Sequence, residues 1–490
     1  MTAIDMPPPA QARGGPASAG VATGNAATTA AAVEVLHEGG NAIDAAVAAG
    51  FASTVCEPGL TSLAGGGFAV VVEPNGEASS LDFFAAAPGL GREEGWHDPA
   101  TITVVYPSAS QDFRVGPAAA AVPGVLAGFL ELHRRWGRLP ISAVAGPAVR
   151  LAGMGARMDA AQAYILTLIE DIARHTPSAQ RMFAPDGELL AEGDLLHDEE
   201  LAGFLSLIAD GEVLDYRSAA FADPLLAMAA QGCHITAEDL QTYRPLWRAP
   251  LVSGPAAGWT LVTNPAPAYG GAIVARALGN LAGSSPAALV AALEEATDHV
   301  KTGPAATAGT THISVVDADG LVVSMTTTNG AGGGVLIPTT GIHLNNMLGE
   351  DDLLPAGIAG ITPGERLRSM MAPSVLRSRD GGLIALGSGG SARIRTAVAT
   401  VIAGVRDRGV DLAEAVAAPR VHLDAPGHVQ AEHGFTADDL AGLRQDFDVN
   451  EWDRTDFFFG GVNAVQRMPD GQVLAVADQR RGGSVAIVEP

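Results

Sequence analysis

The sequence predicts an α+β protein whose β-sheets are covered by helices in a layered body. Two observations lead to this prediction. Pairs of β-branched segments joined by tight glycine-containing turns predict β-hairpins, and longer segments of helical composition lie between them. The composition suits a large buried core, because 47% of the 490 residues are hydrophobic and only 17% are charged.

Helices are predicted in most of the segments that separate these hairpins. Residues 1–20 are expected to form a tail without regular structure, and helices follow over 25–37 and 42–54. Residues 123–240 alternate helical stretches with short polar loops. Further helices are expected near 272–282 and from the glycine-rich sequence GSGGSARI, at 387–394, to about residue 405.

Three hairpins are predicted, each with its turn at an Asn-Gly or Asp-Gly pair. They comprise strands 68–73 and 80–84, strands 311–317 and 321–328, and the two strands within 462–478. The stretch KTGPAATAG, at 301–309, leads into the second hairpin and has the composition of a flexible surface linker.

Charge and hydropathy exclude two classes of partner. The net charge is −25, and no basic run is longer than Arg134-Arg135 or Arg480-Arg481, so we expect no nucleic-acid binding. No window approaches 18 uninterrupted apolar residues, so we expect no membrane span. Without a visible secretory signal, and with Cys56 and Cys233 outside any Cys-x-x-Cys pattern, a cytoplasmic location is expected.

The chain lacks the sequence motifs that several cofactor-dependent and metal-dependent enzymes require. Lys301 is the only lysine, and it belongs to no Gly-Lys-Ser/Thr phosphate-binding sequence. The chain also has no Gly-x-Ser-x-Gly, no His-Glu-x-x-His and no zinc-type cysteine spacing. We therefore expect neither a metal nor another cofactor.

Gly309-Thr310-Thr311-His312 is the first candidate for chemistry. A threonine at a strand edge is usually a β-forming residue, but a strained internal threonine can attack the preceding carbonyl and become a new N-terminus. Its hydroxyl is then a nucleophile whose own α-amine is the general base. Gly309 suits the scissile position because glycine tolerates unusual backbone angles and leaves its carbonyl unhindered.

The second candidate is the glycine-rich sequence at 387–394. Backbone N–H groups in such a turn, at the start of a helix, can form an oxyanion hole. The alternative is a plain start of a helix with no role in catalysis.

These segments resemble motifs of the gamma-glutamyltranspeptidase family. TTHISVVDADG, from Thr310, is similar to the start of the family's small subunit, whose first threonine is the nucleophile. EGGNAIDAAVAAGF, AGGGF, ITAEDLQTYRP, NPAPAYGG, LNNML, APRVH and PDGQ follow the family's order, from about Gly14 to the C-terminus.

The resemblance implies a four-layer αββα sandwich and a proenzyme that cuts itself between Gly309 and Thr310. The products would be a large subunit, 1–309, and a small subunit, 310–490, which stay together as one compact body. Whether two such heterodimers associate is left open. A small-molecule acyl amide is the implied substrate.

Individual positions take their implied roles from the family's motifs. Thr310 matches the nucleophile, and Thr328 matches the threonine that hydrogen-bonds it and assists processing. Gly389 and Gly390 lie in the turn that forms the oxyanion hole. Ser369 matches one of two serines that contact the substrate carboxylate, and Arg368 replaces the other.

Two departures concern the substrate. Phe84, in LDFFAAAPG, replaces the arginine that clamps the glutamyl α-carboxylate, and a phenyl ring cannot form that bidentate pair. In LNNMLGEDDL, Met347 replaces a polar residue, which leaves Glu350, Asp351 and Asp352 to meet a substrate amine or to form a solvated acidic loop.

Three hypotheses therefore stay open. The first is an autoprocessed amide hydrolase with another acyl specificity, such as a glutaryl-type or small-acid amide. The second is a gamma-glutamyl hydrolase or transpeptidase whose clamp is rebuilt with Arg114 or Arg368. The third is an unprocessed, non-catalytic scaffold that kept the fold.

Overall fold

Two stacked β-sheets form the centre of the protein, and helices cover both outer faces. The computed structural model describes residues 7–92, 95–106, 109–300, 309–350, 354 and 357–490. Side chains between the sheets form a dry layer of valine and alanine: Ala22, Val70, Val72, Val262, Val316, Val322, Val375, Ala385, Val465, Val473, Ala475 and Ala477. The arrangement is the expected four-layer αββα sandwich.

Each sheet has seven antiparallel strands. In spatial order, sheet 1 consists of Ala10–Gly14, Val473–Ala477, Gly461–Arg467, Leu383–Gly389, Ser374–Ser378, Trp259–Thr263 and Leu251–Ala256. Sheet 2 consists of Ser484–Val488, Ala19–Thr23, Gly309–Val316, Val322–Gly330, Gly66–Val72, Ala78–Phe83 and Leu246–Arg248. Both sheets take strands from either side of residue 309, so the two predicted subunits share one core.

Smaller β elements lie outside this sandwich. They are the three-stranded sheet Val421–Ala425, His428–Ala431 and Asp448–Glu451, and the pairs Ala100–Tyr106 with Ala109–Val115, Ala156–Arg157 with Leu195–Leu196, and Leu336–Ile337 with Ile342–His343.

The α-helices pack on the two outer faces and on one another. They are Ala26–His37, Ala42–Cys56, Val125–Trp136, Ile141–Met154, Ala160–Leu168, Glu170–Ala173, Pro177–Phe183, Glu199–Ala209, Ala219–Ala227, Ala237–Thr242, Gly270–Gly279, Pro286–Val300, Arg393–Ala403, Leu412–Ala417 and Ala437–Asp446. Helix Ala42–Cys56 is buried along its whole length on sheet 2, and Arg393–Ala403 covers sheet 1.

The structure confirms the three predicted hairpins and the helices near 25–37, 42–54 and 272–282. The prediction of an irregular tail over 1–20 is wrong, because Ala10–Gly14 and Ala19–Thr23 each join a sheet. Their small residues carry little local β signal, and pairing with distant strands decides their conformation. The predicted linker lies outside the described residues up to 308.

Two further expectations concern the cysteines and helices that could span a membrane. Cys56 and Cys233 are unpaired and buried. Within the described ranges, no helix has both the length and the apolar character needed to cross a membrane. The cytoplasmic location stays a prediction.

A buried ionic network fastens the C-terminal segment to sheet 1. Asp478 is fully buried and accepts hydrogen bonds from Arg420, from Arg480 and from the Val462 amide, at 3.2 Å for the amide. Arg480 also bonds Glu432 at 2.7 Å. Burial raises the pKa of Asp478, but the two guanidinium groups outweigh it and lower that pKa.

We expect Asp478→Ala to lower the free energy of unfolding by about 3–5 kcal/mol, because it leaves two buried guanidinium groups short of one counter-charge. Chemical denaturation monitored by circular dichroism measures the change. Asp470→Ala, in an exposed turn, is the control and should shift the free energy by less than about 0.5 kcal/mol. Equal effects of the two substitutions would contradict a structural role for the network.

Candidate active site

Thr310 is the second residue of strand Gly309–Val316, at the point where the regular ladder is interrupted. Gly309 pairs with Gly330 and Thr311 pairs with Thr327, so Thr310 lies opposite two residues, Thr328 and Asn329. Bulges of this kind redirect side chains and are frequent beside active sites. Thr310 itself is 3% exposed.

Gly309 is required at its position for space rather than for its backbone angles. A Cβ added there would lie 2.5 Å from the Gly59 carbonyl oxygen and 2.6 Å from that of Gly330. Its φ lies outside the left-handed region. Lack of space, and not an unusual backbone angle, therefore requires glycine here, and cleavage after Gly309 stays a prediction.

Thr328 contacts the peptide bond that the sequence predicts to be cut. Its hydroxyl donates a hydrogen bond to the Gly309 carbonyl oxygen and accepts one from the Gly330 amide at 3.0 Å. A donor on this oxygen withdraws electron density from the carbonyl carbon, which favours attack by a nearby nucleophile. Thr310 is the adjacent hydroxyl on the chain.

Thr310 and Thr328 open onto a pocket of about 270 Å³, measured to its open mouth. The pocket brings together six residues that the sequence singled out, namely Thr310, Thr328, Phe84, Met347, Glu350 and Ser369. Its remaining walls are Met370, Met371, Ser391 and Ile394, to which the sequence argument gave no role.

The wall of this pocket is mainly apolar. Phe84 is buried and stacks on Phe68, with ring centroids 5.3 Å apart and an interplanar angle of 19°. Three methionines and Ile394 extend the apolar surface. Among the described residues, no arginine lines the pocket, so the cation expected from the family's clamp is absent from its wall.

Arg368, predicted to contact substrate, lies elsewhere. Its guanidinium carbon is 5.2 Å from the centre of the Tyr269 ring, while Ser369 lines the pocket. The segment is extended here and Ser369 forms a bridge with Ala268, so neighbouring side chains point to opposite sides. Arg368 is not among the residues that line this pocket, and its contact with the substrate stays a prediction.

The glycine turn is close to Thr310, but its pocket-facing residue differs from the two predicted. Gly389 packs so tightly on the Thr310 carbonyl that a Cβ there would overlap it, and Gly390 has a φ of 123°. Ser391, with a φ of 49°, lines the pocket. The roles of Gly389 and Gly390 in an oxyanion hole stay predictions.

The acidic segment contributes one described carboxylate. Glu350 is 3% exposed, and its Oε1 lies 2.6 Å from where a Cβ on Gly330 would be. The preceding asparagines serve the fold, since Asn345 bonds the backbone of Ala64 and Ala121. Asp351 lies outside the described residues.

His312, two residues after Thr310, is enclosed between the sheets. Its ring nitrogens contact the hydroxyls of Thr326 at 2.8 Å and Ser314 at 3.0 Å. Burial lowers the pKa of His312 to about 3, so the ring is neutral at physiological pH. Its contacts fit the structural role that the sequence favoured over a catalytic one.

The part of the chain that the structure describes contains no cluster of three or more His, Cys, Asp or Glu residues arranged to hold a metal ion. The pocket contains the Thr310 hydroxyl, the Thr328 hydroxyl, which is hydrogen-bonded to the Gly309 carbonyl, and the Glu350 carboxyl group.

Comparisons with known proteins agree with this geometry. The family model described as gamma-glutamyltranspeptidase matches residues 28–301 and 287–488. The chain belongs to the gamma-glutamyltranspeptidase family. It is 28% identical to the glutathione hydrolase proenzyme of Escherichia coli (strain K12), over 94% of this chain and 90% of that protein.

Relatives with other activities are equally similar. The acylase ACY 1 proenzyme of Pseudomonas sp. (strain V22) is 30% identical, over 95% of this chain and 92% of that protein. The crystal structure of cephalosporin acylase from Bacillus halodurans superposes with a TM-score of 0.82 at 24% identity, covering 99% of this chain and 98% of that one. Like other members of its family, the chain is an autoprocessed hydrolase or acyltransferase of the N-terminal-nucleophile type.

We expect Thr328→Val to slow self-cleavage by about 10²–10³-fold, because it removes the donor on the Gly309 carbonyl while keeping the shape of the side chain. Gel electrophoresis of freshly synthesised protein over time measures the rate. Thr260→Val, in a half-exposed position of sheet 1, is the control and should process at the wild-type rate. Unchanged processing of Thr328→Val would remove Thr328 from the reaction.

Proposed function

We propose that the chain cleaves its own Gly309–Thr310 bond and then uses the Thr310 hydroxyl to accept the acyl group of an amide substrate. The observation that carries this proposal is the hydrogen bond from Thr328 to the Gly309 carbonyl, beside Thr310 and at the mouth of the pocket. This hydrogen bond makes the Gly309 carbonyl carbon more electrophilic. Because Gly309 directly precedes Thr310 in the chain, its carbonyl is the one that the Thr310 hydroxyl can attack.

Processing follows from these positions. The Thr310 oxygen attacks the Gly309 carbonyl carbon, the Gly309–Thr310 C–N bond breaks, and the Thr310 amine takes up a proton. Water then hydrolyses the resulting ester, which frees the Gly309 carboxylate and the Thr310 hydroxyl. Since both products keep strands in both sheets, they remain associated.

Turnover repeats the chemistry on a substrate. The freed α-amine of Thr310 removes the hydroxyl proton, the oxygen attacks the substrate carbonyl, and an acyl-threonine ester forms as the amine product leaves. Hydrolysis of that ester by water releases the acid and restores the enzyme. An amine in place of water would give transfer to an acceptor.

The pocket wall supports a short acyl group that carries an amine but no carboxylate. Glu350 is the carboxylate in the wall, and it can pair with a substrate ammonium group. Ser369 could donate a hydrogen bond to a carboxylate, but Phe84 and the methionines supply no cation, and a carboxylate buried without a counter-charge would be costly. Gamma-glutamyl and glutaryl groups both carry such a carboxylate.

One observation favours a second candidate, gamma-glutamyl transfer with a rebuilt clamp. The backbone of Arg114 packs against Gly349, next to Glu350, with the Arg114 Cβ 3.0 Å from where a Cβ on Gly349 would be. The Arg114 side chain therefore begins close to the pocket, although Arg114 is not among the residues that line it.

The nucleophile is tested by the intact mass of purified protein. Wild type should give two fragments, 1–309 and 310–490, and Thr310→Ala one unbroken chain. Thr311→Ser serves as the control for a change in the adjacent residue and should still be cut at the same bond. An unbroken wild-type chain would favour the scaffold hypothesis instead.

Four anilides that differ only in the acyl group test the specificity. They carry gamma-glutamyl, 4-aminobutanoyl (the same group without its carboxylate), glutaryl (without its amine) and butanoyl (without both). We expect 4-aminobutanoyl anilide to have the highest kcat/KM, about 10–100-fold above gamma-glutamyl anilide, because it avoids burying a carboxylate without a counter-charge.

Glu350→Gln supplies the matched control. It should abolish the advantage of 4-aminobutanoyl over butanoyl anilide and leave butanoyl turnover near the wild-type value. A wild-type preference for the gamma-glutamyl or glutaryl compound would contradict the proposed specificity. Loss of that preference in Arg114→Met would then support the rebuilt clamp.

A further inference from the structure

Two backbone segments confine Gly309, the residue before the predicted scissile bond. One is the turn Glu57–Thr61, whose Gly59 carbonyl oxygen lies 2.5 Å from where a Cβ on Gly309 would be. The other is the loop 329–334, whose Gly330 carbonyl oxygen lies 2.6 Å from the same point. The distance between these two segments therefore sets the space that is left for the Gly309 peptide.

The loop also positions the hydroxyl that contacts the scissile carbonyl. The Gly330 amide donates a hydrogen bond to the Thr328 hydroxyl at 3.0 Å, and that hydroxyl donates to the Gly309 carbonyl. A shift of the loop would move the Thr328 donor relative to its acceptor. Misplacement of a reacting group by about 1 Å can lower a rate by about 10²-fold.

The two segments are joined directly and also through His343. The direct bond runs from the Asn329 amide to the Leu60 carbonyl at 3.0 Å. His343 ends the short strand Ile342–His343, and its backbone carbonyl accepts the Ser62 hydroxyl at 2.6 Å and the Asn329 side-chain amide at 3.3 Å. The backbone of His343 is thus held from both sides.

The ring of His343 forms a second bridge between the same segments. Its Nδ1 lies 3.2 Å from the Pro58 carbonyl oxygen, and its Nε2 lies 3.1 Å from the Gly334 amide nitrogen. Because a carbonyl only accepts and an amide N–H only donates, Nδ1 carries the proton and Nε2 is the acceptor. Burial lowers the pKa of His343 to about 4, although the bond to Pro58 opposes that effect, so the ring is neutral at physiological pH.

Packing fixes the orientation of this ring. His343 is 3% exposed, and its ring meets that of Phe183 edge-on, with centroids 5.4 Å apart. A Cβ on Gly332, where φ is 85°, would lie 2.1 Å from the ring Cε1. The ring therefore has no room to turn unless the loop 329–334 moves with it.

We propose that His343 is a positioning residue, whose ring fixes the distance between the turn Glu57–Thr61 and the loop 329–334 and thereby holds the Gly309 carbonyl in place for self-cleavage. The inference rests on the self-cleavage proposed above, and His343 touches neither reacting atom. Once the bond is cut, Gly309 is a free C-terminus that needs no confinement. His343 should therefore matter for processing and much less for turnover.

The first test is the rate at which freshly synthesised His343→Phe cuts itself, followed on gels. Phenylalanine keeps an aromatic ring against Phe183 but removes the bonds to Pro58 and Gly334. We expect self-cleavage to slow by about 10–100-fold relative to wild type. A wild-type rate would overturn the proposal.

His133→Phe is the matched control for this substitution. His133 is half-buried in helix Val125–Trp136, and its ring donates to the Leu139 carbonyl at 2.8 Å, away from Gly309. The control should therefore lose a comparable hydrogen bond and still cut itself at the wild-type rate.

The second measurement separates positioning of the scissile bond from a general disturbance of the site. His343→Phe is incubated until processing is complete and assayed with the one of the four anilides that wild type hydrolyses fastest. Its kcat/KM should stay within about threefold of the wild-type value. An equal loss in processing and in turnover would overturn the proposal.

Hydrogen exchange gives a readout that needs neither cleavage nor a substrate. In unprocessed Thr310→Ala protein, adding His343→Phe should speed amide exchange in peptides that cover 57–61 and 329–334, and leave the rest of sheet 2 unchanged. Unchanged exchange in those two segments would overturn the proposal, as would faster exchange throughout the molecule.

His343→Asn replaces His343→Phe if the latter does not fold. Asparagine keeps a donor near the position of Nδ1 but does not reach Gly334, so the same changes should appear with smaller size. Failure of wild type to cleave would contradict the proposed function, while the exchange comparison would still decide whether the His343 bridge holds the two segments. The two failures are therefore distinguishable.

Discussion

The hydrogen-bonded pairing of strand Gly309–Val316 with Ala19–Thr23 on one side and Val322–Gly330 on the other determines where Thr310 lies. The strand is third from the edge of sheet 2, and its first residues pass between Gly59 and Gly330 with no space for a side chain at Gly309. Because neighbours hold it from three directions, the Gly309 carbonyl, the Thr310 hydroxyl and the Thr328 hydroxyl keep fixed relative positions. This preorganisation is what a self-cleaving peptide bond requires.

Different residues of the pocket are proposed to carry out the reaction and to select the acyl group of the substrate. Thr310, Thr328 and the glycine turn lie at the ends of strands of the sandwich. Phe84, Met347 and Met370 lie outside the strands of the sandwich and form other parts of the pocket wall. Phe84 stacks on Phe68 at the position where the family resemblance implies an arginine clamp. Acyl specificity can therefore change while the nucleophile is retained.

Support for the scissile bond extends well beyond the pocket. The turn Glu57–Thr61 links the buried helix Ala42–Cys56 to the backbone around Gly309, and the Glu57 side chain accepts a hydrogen bond from Thr28 on the preceding helix. Such a buried acid costs solvation free energy, which the fold accepts where a polar group must be held in one orientation. The layer that covers sheet 2 thus also supports the site.

Local sequence determined a large part of this protein. The hairpin turning at Asp319-Gly320, the helix starting after Asn41 and the placement of Thr310 at the start of a strand all follow from turn residues, capping residues and β-branched runs that act over a few positions. The resemblance of ordered motifs indicated the family, and with it most of the pocket wall.

Only the tertiary structure decided the rest, because the responsible contacts join residues far apart in the chain. Ala10–Gly14 and Ala19–Thr23 become strands because they pair with the C-terminal segment, although their small residues have little local preference for β structure. Ser369 lines the pocket in a segment that a bridge to Ala268 fixes, about 100 residues away in the chain. Ser391, the turn Glu57–Thr61 and the tight space around Gly309 likewise acquire their places from packing across the two sheets, which no local pattern in the sequence encodes.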